Sequence, residues 1–313
     1  MELVRGLHNL RAQHRGCAVT IGNFDGVHLG HRATLERLRE HARQIGRPAT
    51  VLTFEPTPRE FLSPARAPAR LTRLREKVVL LARERVDRCV VLRFDSHLQH
   101  VRATQFIERL LVARLGAERI VVGHDFRFGY RGEADIEVLK AAAPGHGFEV
   151  EVIEPLVIDG VRVSSTAVRE ALASGDLARA ARLLGRPYSM QGRVIEGERL
   201  GRKLGFPTAN LRLHRRVAPL GGIFAVRVHG AGPQPLPAVA SLGTRPTVNG
   251  TEPLLEAHLF DFAGDLYRRH LEIEFVEKLR EERKFASLEA MVMQMHEDAR
   301  QARDILMVSN PSE

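Results

Sequence analysis

The residues best equipped for chemistry sit together near the start of the chain, in Thr20-Ile21-Gly22-Asn23-Phe24-Asp25-Gly26-Val27-His28-Leu29-Gly30-His31. Its glycines let backbone approach a ligand closely, and the free amides of a starting helix favour phosphate. Two imidazoles three residues apart flank that start. Either can hydrogen-bond a nonbridging phosphate oxygen, and a protonated one would stabilise charge developing at phosphorus. A helix-capping loop with exposed histidines is the alternative reading. Further on, Ser164-Ser165-Thr166 reads as an N-cap cluster.

The second half offers Gly197, Gly201 and Gly205 at four-residue spacing, leading into Phe206-Pro207-Thr208-Ala209-Asn210. Such a loop, ending in a hydroxyl and an amide, can wrap polyphosphate and give neutral oxygen ligands to Mg²⁺. It can also be a structural turn. No Gly-x-x-x-x-Gly-Lys-Ser/Thr and no protein-kinase His-Arg-Asp set occurs. In the expected strand Leu254–Asp261, Leu255, Ala257 and Leu259 share one face, and Glu256 and His258 the other. A carboxylate there could take the proton of an acceptor hydroxyl as a γ-phosphoryl group moves, or be a solvated side chain on an exposed sheet face.

The elements that must position these groups fall into two patterns. Short β-branched runs at Cys17–Gly22, Ala49–Phe54, Arg88–Phe94 and Arg119–Gly123 alternate with helical stretches over about Leu29–Ile45, Leu74–Val86, Ala103–Leu115 and Ile136–Ala143. Continuous apolar strands joined by helices imply a parallel sheet covered on both faces, with ligands beyond the carboxyl ends of its strands. Leu177, Ala180, Ala181 and Leu184 mark a helix stopped by Gly185 and Pro187, and the domain boundary is drawn there, at 185/186. Beyond it, strands at Met190–Ile195, Ile223–His229, Ala238–Leu242, Leu254–Asp261 and His270–Val276 follow without helices between them, as in an antiparallel barrel. A helix over about Ser287–Met307 closes the pattern, striped by Leu288, Met291, Val292, Met295, Ala299, Ala302 and Leu306.

Composition bounds the function. With 313 residues, 44% hydrophobic and 27% charged, the chain fits two globular domains. The longest apolar run, Val78–Ala82, is far short of a membrane span, and the first sixteen residues lack a secretory h-region. Cys17 and Cys89 read as buried thiols of a reducing compartment, so a soluble cytoplasmic protein is expected. Net charge is +9, but only five of 47 basic residues are lysine, and the arginines are interleaved with acids along the whole chain. That distribution, with no Trp and three Tyr, favours small anionic ligands over a nucleic-acid or membrane partner.

At this point the motifs resemble a known family, the bacterial bifunctional riboflavin kinase/FMN adenylyltransferases, whose first half is an HxGH nucleotidylyltransferase. The resemblance extends through Thr53-Phe54-Glu55-Pro56, Val122-Gly123-His124-Asp125-Phe126-Arg127-Phe128-Gly129 and Arg162-Val163-Ser164-Ser165-Thr166-Ala167-Val168-Arg169. It continues through Gly201-Arg202-Lys203-Leu204-Gly205-Phe206-Pro207-Thr208-Ala209-Asn210-Leu211, Gly243-Thr244-Arg245-Pro246-Thr247-Val248, Leu255–Leu259 and Asp261–Tyr267, nearly the whole chain. It implies a Rossmann-like α/β adenylyltransferase domain over 1–185 and a riboflavin kinase β-barrel with a terminal helix over 186–313. It further implies ATP as co-substrate, Mg²⁺ as cofactor, and riboflavin, FMN and FAD as substrates and products.

Carried onto this chain, the resemblance gives His28 and His31 to the ATP phosphates, and Gly22, Asn23, Phe24 and Asp25 to the nucleotide pocket. It makes Ser164, Ser165, Thr166 and Arg169 a second phosphate clamp. Asp125, Phe126 and Phe128 match the block expected near flavin, although such a strand-end segment can equally be core. In the barrel it assigns Gly201, Lys203, Gly205, Phe206 and Pro207 to nucleotide, Thr208 and Asn210 to the metal, and Glu256 to the base acting on the ribityl 5′-hydroxyl. Arg280 and Arg283 fall in a segment near bound flavin, or in a solvated turn. Three departures stand out: Thr57 where the family usually has His, altered spacing over Gly129–Asp135, and Ser241 in place of the usual Asn.

Overall fold

The computed structural model describes residues 1–196, 205–247 and 250–308. They pack as two compact units, 1–68 with 72–164, and 69–71 with 165 onward.

The first unit is built on a parallel sheet of β1 (Glu2–Arg5), β2 (Cys17–Ile21), β3 (Ala49–Phe54), β4 (Arg88–Leu92), β5 (Ala117–Gly123) and β6 (Glu149–Ile153), in the order β1-β4-β3-β2-β5-β6. All residues of β2 and β4 are buried, as two covered faces require. Alternate residues feed two cores. Val19, Ile21, Val90 and Val122 pack with Phe106, Leu110 and Leu139 on one face, while Ala18, Val51, Cys89 and Val121 pack with Leu35, Leu38 and Leu81 on the other.

The helices of this unit are α1 (Leu29–Gln44), α2 (Pro58–Leu62), α3 (Leu74–Arg83), α4 (Ser96–Gln99), α5 (Ala103–Gln105) and α6 (Ile136–His146). The helix expected over Ala103–Leu115 starts as α5 but winds as a π-helix through Phe106–Arg114. Strands β1 and β6 escape the sequence pattern because they are sheet edges. Their charged and half-exposed residues break the apolar run. A short hairpin, β7 (Val157–Ile158) and β8 (Val161–Arg162), turns through Asp159 and Gly160, both at positive φ. Because β2 lies between β3 and β5, the chain leaves it on one side and returns on the other. The crevice for a ligand therefore opens at the carboxyl end of β2.

The second unit begins with α7 (Ser165–Ala173) and α8 (Leu177–Leu184), which ends at Gly185 in the left-handed region, as expected. By packing, the units divide between Ser164 and Ser165, ahead of the 185/186 boundary. Gly185 and Pro187 terminate α8, but α8 packs on barrel strand β14, so the helix end is not a packing border.

The barrel closes through β9 (Ser189–Ile195), β10 (Ala209–Arg212), β11 (Gly222–His229), β12 (Leu236–Thr247), β13 (Gly250–Leu259) and β14 (His270–Arg280), in the order β10-β13-β12-β11-β14-β9. All neighbours are antiparallel. The terminal helix α9 (Leu288–Val308) lays Ala302 and Leu306 on Ala225 and Phe260. Ala69–Leu71 is a strap on this unit: Arg169 Nε donates to the Ala69 carbonyl, Tyr188 Oη to Leu71, and the buried Arg215 to Arg70 and Leu71. No helix among the described residues is long and apolar enough to cross a membrane.

Candidate active sites

In the first unit the site is the β2–α1 loop at the switch point. Asp25, 6% exposed, accepts from the Thr72 N–H at 2.8 Å and its hydroxyl at 3.1 Å, and Thr72 Oγ1 in turn accepts from the Gly26 N–H. This tie holds a turn with Phe24, Gly26 and Val27 all at positive φ. For Phe and β-branched Val that is a strained backbone. Asp25 and the core residue Phe24 thus shape the loop from behind, while Asn23 is exposed on it.

His28 caps α1: its Nδ1 accepts the His31 N–H at 3.2 Å, which leaves Nε2 to carry the ring proton. The two rings stack with centroids 3.6 Å apart, and Phe24 supports His31 at 5.0 Å. Gly30 leaves room for this stack, since a Cβ there would lie 3.3 Å from the His28 ring, a tight contact, and 3.4 Å from the Val163 carbonyl. Gly22 is similarly close to the Phe24 ring. His31 Nδ1 is buried without a hydrogen-bond partner. Burial first, then the electrostatic influence of His28 and Lys77, press the His31 pKa well below its ordinary value. His31 therefore works as a neutral imidazole in the free protein, a hydrogen-bonding group and not the cation that residue type alone allowed.

Lys77 is the residue that sequence reading missed. It is 1% exposed, and its Nζ donates to Thr53 Oγ1. The signal was present: one of five lysines in an arginine-dominated chain heads the longest apolar run.

Across the crevice, Asp125 follows the carboxyl end of β5 and pairs with Arg162 at 2.6 Å. Burial raises its pKa, but the Arg162 hydrogen bond and charge, with His124, bring the net shift below the ordinary value. Phe126 is half-buried and stacks on Phe128, whose 7% exposure and contact with Phe106 make it a core residue. Ser164 ends this unit. Ser165, Thr166 and Arg169 occupy the first turns of α7 in the other unit, with Thr166 exposed and Arg169 half-buried on the strap.

In the barrel, Gly201 and Lys203, like Gly197, lie outside the described residues. Gly205 has φ 82° and leads into Phe206, which is buried with its ring against His258 and His296. His258 Nδ1 lies 2.9 Å from the Pro207 carbonyl oxygen. These contacts give Phe206 and Pro207 the role of docking the loop end on β13. The segment read as a metal-binding loop then becomes strand β10, and this matters because pairing sets the register: Asn210 is opposite Glu256, and Glu256 is opposite Ser241. Paired residues share a face, so amide, carboxylate and hydroxyl form one row across three strands. The facing row of Val194, Leu211, Leu255 and Leu242 is buried.

Thr208 and Asn210 line a cavity of about 150 Å³ with Pro207, Phe262, Gly264 and Asp265. Among the described residues the Asn210 side-chain amide makes no hydrogen bond, although Asn210 is 8% exposed. Arg280 and Arg283 instead face α9, Arg280 bidentate to Asp298 at 2.8 and 2.6 Å and Arg283 on Gln294, both over Phe285. The neighbouring Glu282 accepts from Ser241 at 3.3 Å, and its carboxylate lies against Gly243.

A phosphate-type loop on a parallel sheet in one unit, and in the other a barrel that presents a carboxylate next to neutral oxygen donors, define a two-domain ATP-using transferase. The family model for FAD synthetase matches residues 10–167, and that for riboflavin kinase matches 184–306. The bifunctional riboflavin kinase/FMN adenylyltransferase of Pseudomonas fluorescens is 51% identical over 97% of both chains, and that of Escherichia coli K12 is 48% identical over the full length of both. A solved structure named as a macrolide-efflux protein from Streptococcus pneumoniae superposes with a TM-score of 0.81, at 29% identity over 97% of this chain and 99% of its own. The chain belongs to the bifunctional riboflavin kinase/FMN adenylyltransferase family.

Proposed function

We propose that the two reactions of this family are carried out by the two residue sets described above, split by function at 185/186. The chain is a riboflavin kinase and an FMN adenylyltransferase: it phosphorylates riboflavin with ATP, then transfers AMP from ATP to FMN to give FAD and pyrophosphate.

In adenylyl transfer the attacking group is the flavin phosphate, already anionic, so no covalent nucleophile is needed. Positioning and charge stabilisation suffice. His28 Nε2–H and His31 meet the ATP phosphates at the start of α1, with Gly22 and Asn23 at the nucleotide. Asp25 and Phe24 hold the loop, and Ser164, Ser165, Thr166 and Arg169 clamp a second phosphate. Asp125 and Phe126 face the flavin, with Phe128 as their support. The observation that carries this reading is the His31 imidazole, with a buried Nδ1 that lacks a partner and a neighbour stacked at 3.6 Å.

In the kinase, Glu256 takes the proton of the ribityl 5′-hydroxyl as the γ-phosphoryl group transfers. Gly201, Lys203 and Gly205 embrace the nucleotide, and Arg280 and Arg283 border the flavin through the segment they anchor. Thr208 and Asn210 suit Mg²⁺, a hard cation that takes neutral oxygens together with substrate phosphates. The cavity wall they form, with an unengaged amide beside a carboxylate, supports that fit. Mg²⁺ bound there would neutralise charge on the phosphates. The substrates are small soluble molecules, consistent with work in the cytoplasm.

Chromatography of flavins from full-length Glu256→Gln and His31→Gln proteins tests both sites. Glu256→Gln should lose FMN formation by about 10²-fold or more while still converting supplied FMN to FAD. His31→Gln should do the reverse. Undiminished FMN formation by Glu256→Gln, or undiminished FAD formation by His31→Gln, would remove that residue from its mechanism.

A further inference from the structure

Lys77 is a buried lysine close to the candidate nucleotide loop. It is 1% exposed and lies in the first turn of α3, at the positive end of the helix. Burial and the helix dipole both disfavour a cation there. Its Nζ donates to Thr53 Oγ1 at 3.4 Å, and that hydroxyl donates at 3.4 Å to the carbonyl of Asn23. Thr53 is the penultimate residue of β3, at the carboxyl end of the sheet, and Asn23 belongs to the β2–α1 loop. The relay therefore ends in the loop that carries His28 and His31. The fields of Lys77 and His28 both reach the His31 ring.

We propose that Lys77 is a positioning residue for adenylyl transfer, a fixed buried charge that holds the β2–α1 loop through Thr53 and sets the electrostatic environment of His31. This rests on the assignment of His28 and His31 to the ATP phosphates. Burial is what chiefly keeps His31 neutral and the lysine charge reinforces it, so the ring meets phosphate as a hydrogen-bonding group. The same charge also makes the crevice attractive to a polyphosphate.

The test compares full-length Lys77→Met, Lys77→Arg and His31→Gln with the parent. The readouts are the pH profile of FAD formation, FMN formation by the same preparation, and the His31 titration followed by NMR in the free protein. Lys77→Met should lower kcat for FAD formation roughly tenfold. It should also move the acid limb and the His31 titration upward by roughly one pH unit, with FMN formation unchanged. Lys77→Arg, which keeps the charge, should return both titrations to the parent position.

A Lys77→Met protein that loses rate or stability with both titrations unmoved would overturn the proposal and leave Lys77 a packing residue. If Lys77→Met does not fold, Lys77→Arg decides: an unmoved His31 titration supports the proposal, and a displaced one with the charge retained overturns it. Full FAD formation by His31→Gln would instead overturn the reading of the site itself. The NMR titration reports the Lys77 field in either case, so the two failures are distinguishable.

Discussion

A methyl group on residue 30 would crowd the His28 ring at 3.3 Å. Gly30→Ala should therefore lower FAD formation by about tenfold by opening the imidazole stack, even though alanine favours the helix by ~1 kcal/mol. FMN formation by the same protein checks that the effect is local. The neutral His31 also gives folding a pH dependence. An unfolded chain binds its proton near the ordinary imidazole pKa of about 6.5, whereas the folded chain, with its lowered pKa, does not. The unfolded state then holds more protons, so stability should fall as pH drops below about 6.5. Denaturant midpoints at about pH 7.5 and 5.5 should show that fall, and His31→Gln should flatten it. The histidines were legible because a Gly between two His at a helix start has few other uses. Lys77 went unread although its rarity and its place ahead of the longest apolar run are visible in the sequence, since neither shows what folding packs around it.

Strand pairing in the barrel makes neighbours of residues far apart in sequence. Glu256 was legible as the outward residue of an alternating strand and Asn210 as a metal candidate, but their pairing was not, because Pro207-Thr208-Ala209-Asn210 has the composition of a loop. Only the β10–β13 register puts the amide beside the carboxylate. The same limit applies to Arg280, whose place at the end of β14 is set by Asp298 on α9. Asp298 is 3% exposed and also receives the Gln294 side-chain amide. Asp298→Ala should destabilise the barrel by about 2 kcal/mol, because it removes two charge-assisted hydrogen bonds from a half-buried guanidinium. Thermal unfolding followed through riboflavin kinase activity is the measurement. A companion Asp298→Asn protein, which keeps a hydrogen-bond acceptor, should recover part of the loss.

For the molecule as a whole, the switch from alternating strands and helices to consecutive strands was enough to read two folds. It did not disclose that Ala69–Leu71, three residues in a Pro/Ala/Arg-rich loop, pack with the second unit. Fragment 1–185 should make FAD from supplied FMN, and fragment 186–313 should make FMN. The second fragment should melt well below the same barrel in the full chain, since Tyr188 and Arg215 lose the Leu71 carbonyl that they share. Each buried donor left without an acceptor costs about 1–3 kcal/mol. The strap also has a consequence in time. Its three residues meet partners 100, 117 and 145 positions later, so they leave the ribosome long before Arg169, Tyr188 and Arg215 exist. During synthesis Leu71 must wait as an exposed apolar side chain. Translation that stalls between residues 72 and 188 would yield a nascent chain recognisable to chaperones by that one uncovered segment.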